Sequence, residues 1–222
     1  MTNTGVKHTD PDGSEDLARI HDLVLLTQAG YLTIKSRSQN AFLVGYPNKE
    51  VAVSLAELYC EELLNRQDPA TIKADTIVPA LNDGDVRCLF ESANRAFAAL
   101  DFEKYPIANE EFVRSCLQVF IAVTGFSVRR EAFKASDRSI LEVDAETVRW
   151  AIDLKFLRQE DNADALLEEA VRQIRERNDG TASSQPLIRA AAVFSEEKRA
   201  FIRWQNADTK SQSCRRHRCY NC

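Results

Sequence analysis

The sequence predicts a mixed α/β protein, a sheet covered by helices and preceded by a smaller, mostly helical unit. Two segments carry most of that prediction. Asp137-Arg138-Ser139-Ile140-Leu141-Glu142-Val143 and Arg149-Trp150-Ala151-Ile152-Asp153-Leu154-Lys155-Phe156 read as strands joined by a short polar turn. Around them the expected order is helix, three strands, helix, strand, which gives a mixed sheet under helical cover. Upstream, a helix, a hairpin and a second helix stand apart from that pattern. With 44% of 222 positions hydrophobic, the chain can bury the core of one large domain or two small ones.

Residues 1–13 are polar and carry Pro11 and Gly13, so they read as a disordered lead-in. From Ser14, with Glu15 and Asp16 in the first turn, Leu17, Ile20 and Val24 recur at helical spacing until Gly30. Tyr31–Lys35 and Ala41–Tyr46 form a hairpin across the polar Ser36–Asn40. Pro47 ends it, and Asn48 caps a helix whose apolar stripe is Val51, Leu55, Leu58 and Tyr59. Helix, hairpin, helix suggests a winged-helix-like unit. Pro69 and Pro79 punctuate a further helical stretch, and Asp83-Gly84-Asp85 opens a helix carrying Val86, Leu89, Phe90, Ala93, Phe97 and Leu100. Pro106 marks the expected domain boundary. Asn109-Glu110-Glu111 then starts an apolar helix through Phe112, Cys116, Leu117, Phe120 and Val123 to Gly125. Extended segments follow at 127–134, 138–143 and 147–156, then a helix from Ala163 to Arg177 with Leu166, Leu167, Ala170 and Ile174 on its apolar face. Leu187–Phe194 reads as a buried strand, and the short segment with Lys198, Arg199 and Trp204 closes the domain. The expected units are therefore 1–13, 14–105, 106–205 and a disordered basic tail over 206–222.

No apolar run approaches the ~18 residues a bilayer span needs, and the opening Met1–Lys7 lacks the apolar stretch of a signal peptide. The expected location is the cytoplasm, with no membrane partner. Of six cysteines, Cys60, Cys88 and Cys116 fall in apolar helical patterns, where a free thiol acts as a small hydrophobe. The formal charge of −5 is uneven: Lys210, Arg215, Arg216 and Arg218 lie beyond Asp208 without an acid, and without those four −5 becomes −9. So acidic a body lacks the clustered Lys and Arg of a nonspecific DNA binder, and any nucleic-acid affinity needs a local patch.

On an extended strand, Asp153 and Lys155 point to one face while Leu154 packs behind them. That is the geometry of a metal-dependent phosphodiesterase site. The preceding strand should bring a second carboxylate opposite, yet the expected position is Ile140, which has no lone pair to offer a cation. Glu142 lies on the same strand face about 6.6 Å further along, and Glu131 on the strand before is another donor of the right type.

Gln28-Ala29-Gly30-Tyr31-Leu32-Thr33-Ile34-Lys35, Gly45-Tyr46-Pro47-Asn48-Lys49-Glu50-Val51, the two strands and Gln173-Ile174 together resemble the C-terminal half of bacterial AAA-ATPase-like proteins that end in a PD-(D/E)XK nuclease-like domain. The resemblance covers residues 17 to 205. It implies a restriction-endonuclease-like mixed sheet, with the motif-one acid on Glu110, the Gly-Arg-x-Asp strand on Asp137 to Ile140, the Glu-x-Lys on Asp153-Leu154-Lys155 and the Gln-Ile on Gln173-Ile174. Asp137 and Ile140 depart from that pattern, as does Asn178-Asp179-Gly180 where an aromatic residue is usual. The Gly-rich loop of the upstream ATPase is absent, so no ATP binding is expected. The implied activity is Mg²⁺-dependent hydrolysis of nucleic acid, with Asp153, Lys155, Gln173 and Glu110 as catalytic residues and Asp153, Glu110 and Glu142 as metal ligands. Because Ile140 removes an oxygen donor, Mg²⁺ binding is expected to be weak or absent. The alternative is a module without chemistry that holds nucleic acid, a protein partner or a second copy of the chain.

Other constellations carry less. Cys214, His217, Cys219 and Cys222 are zinc-ligand types at a spacing too compressed for a known finger. His8 and His21 have no acid or nucleophile arranged around them. Arg172, Arg175 and Arg177 flank Gln173, but they alternate with Glu168, Glu169 and Glu176 in the manner of a solvated helix face.

Overall fold

The computed structural model describes residues 22–38, 41–64, 77–132, 139–159, 161–176 and 185–208. The chain divides into two compact units, Met1–Leu55 and Ala56–Cys222. The expected lead-in 1–13, the start of the first helix, His8, His21 and the Cys/His-rich tail beyond Asp208 lie outside the described residues.

In the first unit, α1 spans Asp22–Gln28, β1 Thr33–Ser38 and β2 Ala41–Gly45. The helix stops where the sequence places glycine. Tyr31 N–H donates to the Leu26 carbonyl at 2.9 Å and Gly30 N–H to the Thr27 carbonyl at 3.1 Å, with Gly30 at φ +82. This is a Schellman ending, and its left-handed residue excludes most side chains. The hairpin ladder is longer than expected, since Ser36, Arg37 and Ser38 pair with Leu43, Phe42 and Ala41. A bulge between Ile34 and Ser36 carries the ladder into the polar stretch that was read as the turn.

The next helix, α2, runs Lys49–Leu63, and the Asn48 side chain accepts from Val51 N–H at 2.9 Å, as the sequence predicts. The buried face of α2 is not the expected stripe. Leu58 and Tyr59 are exposed, and Ala56 and Cys60 are buried, with Leu64 just past the helix end. Small side chains at four-residue spacing let the backbone approach its neighbours, whereas Leu58 and Tyr59 lie off that line.

The second unit adds α3 (Val78–Asp83), α4 (Val86–Ala98), α5 (Glu110–Ala122), β3 (Ser127–Ala132), β4 (Ser139–Asp144), β5 (Arg149–Leu157), α6 (Ala163–Arg175), β6 (Leu187–Ser195) and β7 (Ala200–Asn206). The strands form one sheet in the order β3-β4-β5-β6-β7. Only β5 and β6 pair in parallel, joined through α6 as parallel neighbours require. The mixed α/β class read from the sequence is therefore present. The short segment read as closing the domain contains a full strand, β7, and order continues past 205, where a disordered tail was expected: Ala207 is buried and its N–H donates to the Arg189 carbonyl at 2.7 Å.

Each face of the sheet has its own core. On one, Trp150, Ile152, Leu154, Phe194 and Phe201 meet Leu81, Phe90, Phe97 and Phe120 of α3, α4 and α5. Phe97 is central there, with ring centroids 4.9 Å from Phe194 and 5.5 Å from both Phe120 and Phe201. Trp150 Nε1 donates to the Leu81 carbonyl at 2.8 Å, and Asn94 bonds both backbone groups of Phe201 at 2.9 and 2.7 Å. On the other face Ala151 and Ala191 meet Ala170, Val171 and Ile174 of α6. The core thus continues across the 105/106 position expected to divide it, since α3 and α4 bury their apolar sides against the sheet. Cys60 and Cys116 are buried in the core, and burial pushes the Cys116 thiol up to about 12. Among the described residues no helix is long and apolar enough to cross a membrane.

Candidate functional site

The period of two along β5 sorts its side chains. Trp150, Ile152 and Leu154 enter the aromatic core, while Ala151, Asp153 and Lys155 face α6. Asp153 is 5% exposed, and on β6 its register partner is the fully buried Ala191. Its Oδ2 has no hydrogen-bond partner among the described residues. A buried carboxylate oxygen left over in this way is uncommon and marks a place where something else binds or where the proton is retained. Burial, aided by Glu110, pushes the carboxyl up to about 6 against the pull of Lys155, Arg114 and the Leu154 backbone N–H.

Lys155 Nζ donates to Gln173 Oε1 at 2.8 Å and lies 3.4 Å from Glu169 Oε1, and Gln173 Nε2 donates to the same Glu169. Two residues one turn apart on α6 thereby hold the end of a strand lysine. The helix is itself well started: Asn162 caps it by accepting from Asp164 and Ala165 N–H at 2.9 and 3.2 Å.

Glu110 opens α5, where Asn109 accepts from Phe112 N–H at 2.9 Å. The Glu110 carboxylate is bonded by Arg114 Nη2, and Arg114 Nη1 donates to Glu111 Oε2 at 3.1 Å. Arg114 is only 3% exposed, and its Nε has no partner among the described residues. Glu111 also receives Arg130.

The β4–β5 ladder runs from Asp144↔Arg149 to Leu141↔Ile152 and ends there. Ile140 and Asp153 are the next positions on the two strands, so the register puts Ile140 where the second carboxylate was expected. Its side chain is buried and packed with Ala151, Ala170, Val171 and Ile174. Glu142 sits two pairs further on, in register with Ala151, with Oε2 3.7 Å from Arg129 Nε. Glu131 pairs with Ile140 along the β3–β4 ladder. The fold therefore links Lys155 to Gln173 directly and couples Asp153 electrostatically to Glu110 and Lys155, while Glu142 is engaged with Arg129 two pairs along the ladder.

Two participants escaped the sequence reading. Glu169 looked like part of a solvated face, and the signal that could have found it is its four-residue spacing from Gln173. Arg114 sits in an apolar helix, and its signal is the same spacing from Glu110. Among the expected bystanders, Arg175 Nε donates to the Ala207 carbonyl at 2.5 Å, a structural contact. Among the described residues no three His, Cys, Asp or Glu side chains form a group that could hold a metal ion. The oxygen donors at hand are Asp153 Oδ2 and Glu110, within the one or two carboxylates that Mg²⁺ takes when waters and a substrate phosphate complete its shell. No family model, curated protein or solved structure matches the chain.

Proposed function

We propose that the β3–β7 sheet with its covering helices, within the unit Ala56–Cys222, forms a PD-(D/E)XK nuclease-like domain of the restriction-endonuclease-like kind, acting in the cytoplasm on nucleic acid at a Mg²⁺ centre weakened by Ile140. The observation that carries the reading is Asp153, a buried carboxylate with a free oxygen, two residues before a lysine that α6 holds in place. The α-β-β-β-α-β order over α5 to β6, with β5 and β6 parallel, supports it. A bound Mg²⁺ would supply an activated water and charge for the phosphate. Asp153 Oδ2 and Glu110 offer it oxygen, Lys155 places its ammonium beside the attacking water, and Gln173 fixes the lysine's direction. Ile140 contributes no oxygen, so affinity for the metal and rate both suffer.

A second reading, a module that holds nucleic acid or a protein without chemistry, is favoured by the packing of Ile140 into an apolar cluster. Incubation with plasmid or single-stranded DNA and Mg²⁺ or Mn²⁺, beside Lys155→Ala, separates the two. Cleavage that disappears in the variant supports the nuclease; DNA binding without cleavage supports the module. Neither cleavage nor binding would sink the nuclease and the nucleic-acid module alike and leave only a module that holds a protein.

A further inference from the structure

We infer that the Arg114 guanidinium is the resident cation of this centre and competes with a divalent metal ion for Glu110. The inference rests on the reading of Asp153 and Glu110 as the metal's donors, and it adds what keeps the metal off them. An ordinary glutamate–arginine pair at this spacing is exposed and stabilises a helix by about 0.5 kcal/mol or less. Arg114 differs. Its side chain is 4% exposed, whereas Glu110 keeps 35% of its own exposure, so the helix has drawn the cation, and not the acid, out of water.

A guanidinium so buried needs carboxylates around it. Glu110 and Glu111 supply two from the helix's own first turn. Its charge also reaches Asp153 on β5, where it opposes protonation. Arg130 also bonds Glu111. Two buried groups are left with unmet bonding capacity, Arg114 Nε as donor and Asp153 Oδ2 as acceptor. The arginine therefore already provides at Glu110 the positive charge that a metal ion would bring. A cation entering beside it meets like-charge repulsion and must take Glu110 from its present partner.

The test is calorimetric titration with MnCl₂ of the full chain, comparing wild type with Arg114→Met, which fills similar volume without charge. The expected result is a gain in Mn²⁺ affinity of about tenfold or more, since like-charge repulsion at such range is strong even at an intermediate effective dielectric constant. Adding Glu110→Gln to Arg114→Met should abolish the gain. A folded Arg114→Met that binds Mn²⁺ no more tightly than wild type overturns the inference. Arg114→Gln is the second variant, judged the same way. If circular dichroism shows both unfolded, the ¹⁵N signal of Arg114 Nε in wild type decides. Movement as Mg²⁺ is raised to saturation supports competition, and saturation of the protein with Mg²⁺ while the signal stays unmoved overturns it. The titration needs neither DNA nor turnover, so failure of the nuclease reading and failure of this inference are told apart.

Discussion

Asp153 carries a charge its surroundings resist. Its native carboxyl titrates near 6, against an ordinary value of 3.8, chiefly because burial disfavours the ionised form. The native state thus binds a proton that the unfolded chain has already released between those values. Stability from this group is complete below pH 3.8 and falls as pH rises to about 6, after which the loss is constant. Two pKa steps correspond to about 2–3 kcal/mol. Asp153→Asn removes the titration while keeping the shape. Urea denaturation should find the variant more stable than wild type by an amount that grows from pH 4 to pH 6 and then levels near that figure. Parallel pH profiles for the two proteins would show that Asp153 is solvated. Ile140 gives the complementary test. Ile140→Asp sets a carboxylate beside Asp153 but takes a butyl group from Ala151, Ala170, Val171 and Ile174. Metal-free stability should fall by about 2–4 kcal/mol, while Mn²⁺ affinity measured calorimetrically should rise. Unchanged affinity in a folded variant would mean that residue 140 does not face the centre.

Helix α5 ties stability to the site through its cap. Asn109 is the side chain that satisfies an orphan N–H in the turn carrying Glu110 and Glu111. Asn109→Ala should cost about 1 kcal/mol in thermal or urea unfolding, and a frayed first turn should also weaken Mn²⁺ binding through Glu110. A stability loss with intact affinity would place Glu110 outside the metal site. The caps at Asn48, Asp85 and Asn109 were legible in the sequence because the signal is local: a polar side chain followed within three residues by the N–H it serves. The face of β5 bearing Asp153 and Lys155 was legible too, since a strand has only two faces. Strand β7 was not. Its ladder passes from Val193↔Arg203 to Phe194↔Phe201 without Ile202, so the bulge puts Phe201 and Trp204 in the core at a spacing of three that suggests a helix. Arg114 and Glu169 were hidden for another reason. Charges on a helix ordinarily lie in water, and only tertiary packing decides which of them is buried. Gln173 entered through a family resemblance alone, and in the fold its Oε1 accepts from Lys155 Nζ at 2.8 Å.

At the scale of the whole molecule, the core decides where the chain can be divided. The sequence placed a boundary at Pro106 because proline and polar residues precede a strong helix start, a signal of local backbone that carries no information about which core the preceding helices join. In the folded chain Phe90 and Phe97 of α4 lie among Phe120, Phe194 and Phe201, and Asn94 satisfies the backbone of Phe201 on edge strand β7. Removing residues before 106 would uncover that aromatic cluster and leave both Phe201 backbone groups without their partner. Burying one phenylalanine side chain stabilises by about 1.5–3 kcal/mol, and whole domains are stable by only about 5–15 kcal/mol, so two such losses with the two hydrogen bonds reach most of that margin. A chain begun at residue 106 should therefore lack a cooperative thermal transition and a near-ultraviolet circular dichroism signal from Trp150 and Trp204, while a chain begun at residue 56 should keep both. Cooperative unfolding of the shorter chain would instead show that sheet, α5 and α6 suffice, and that the α4 helix merely rests on a finished domain.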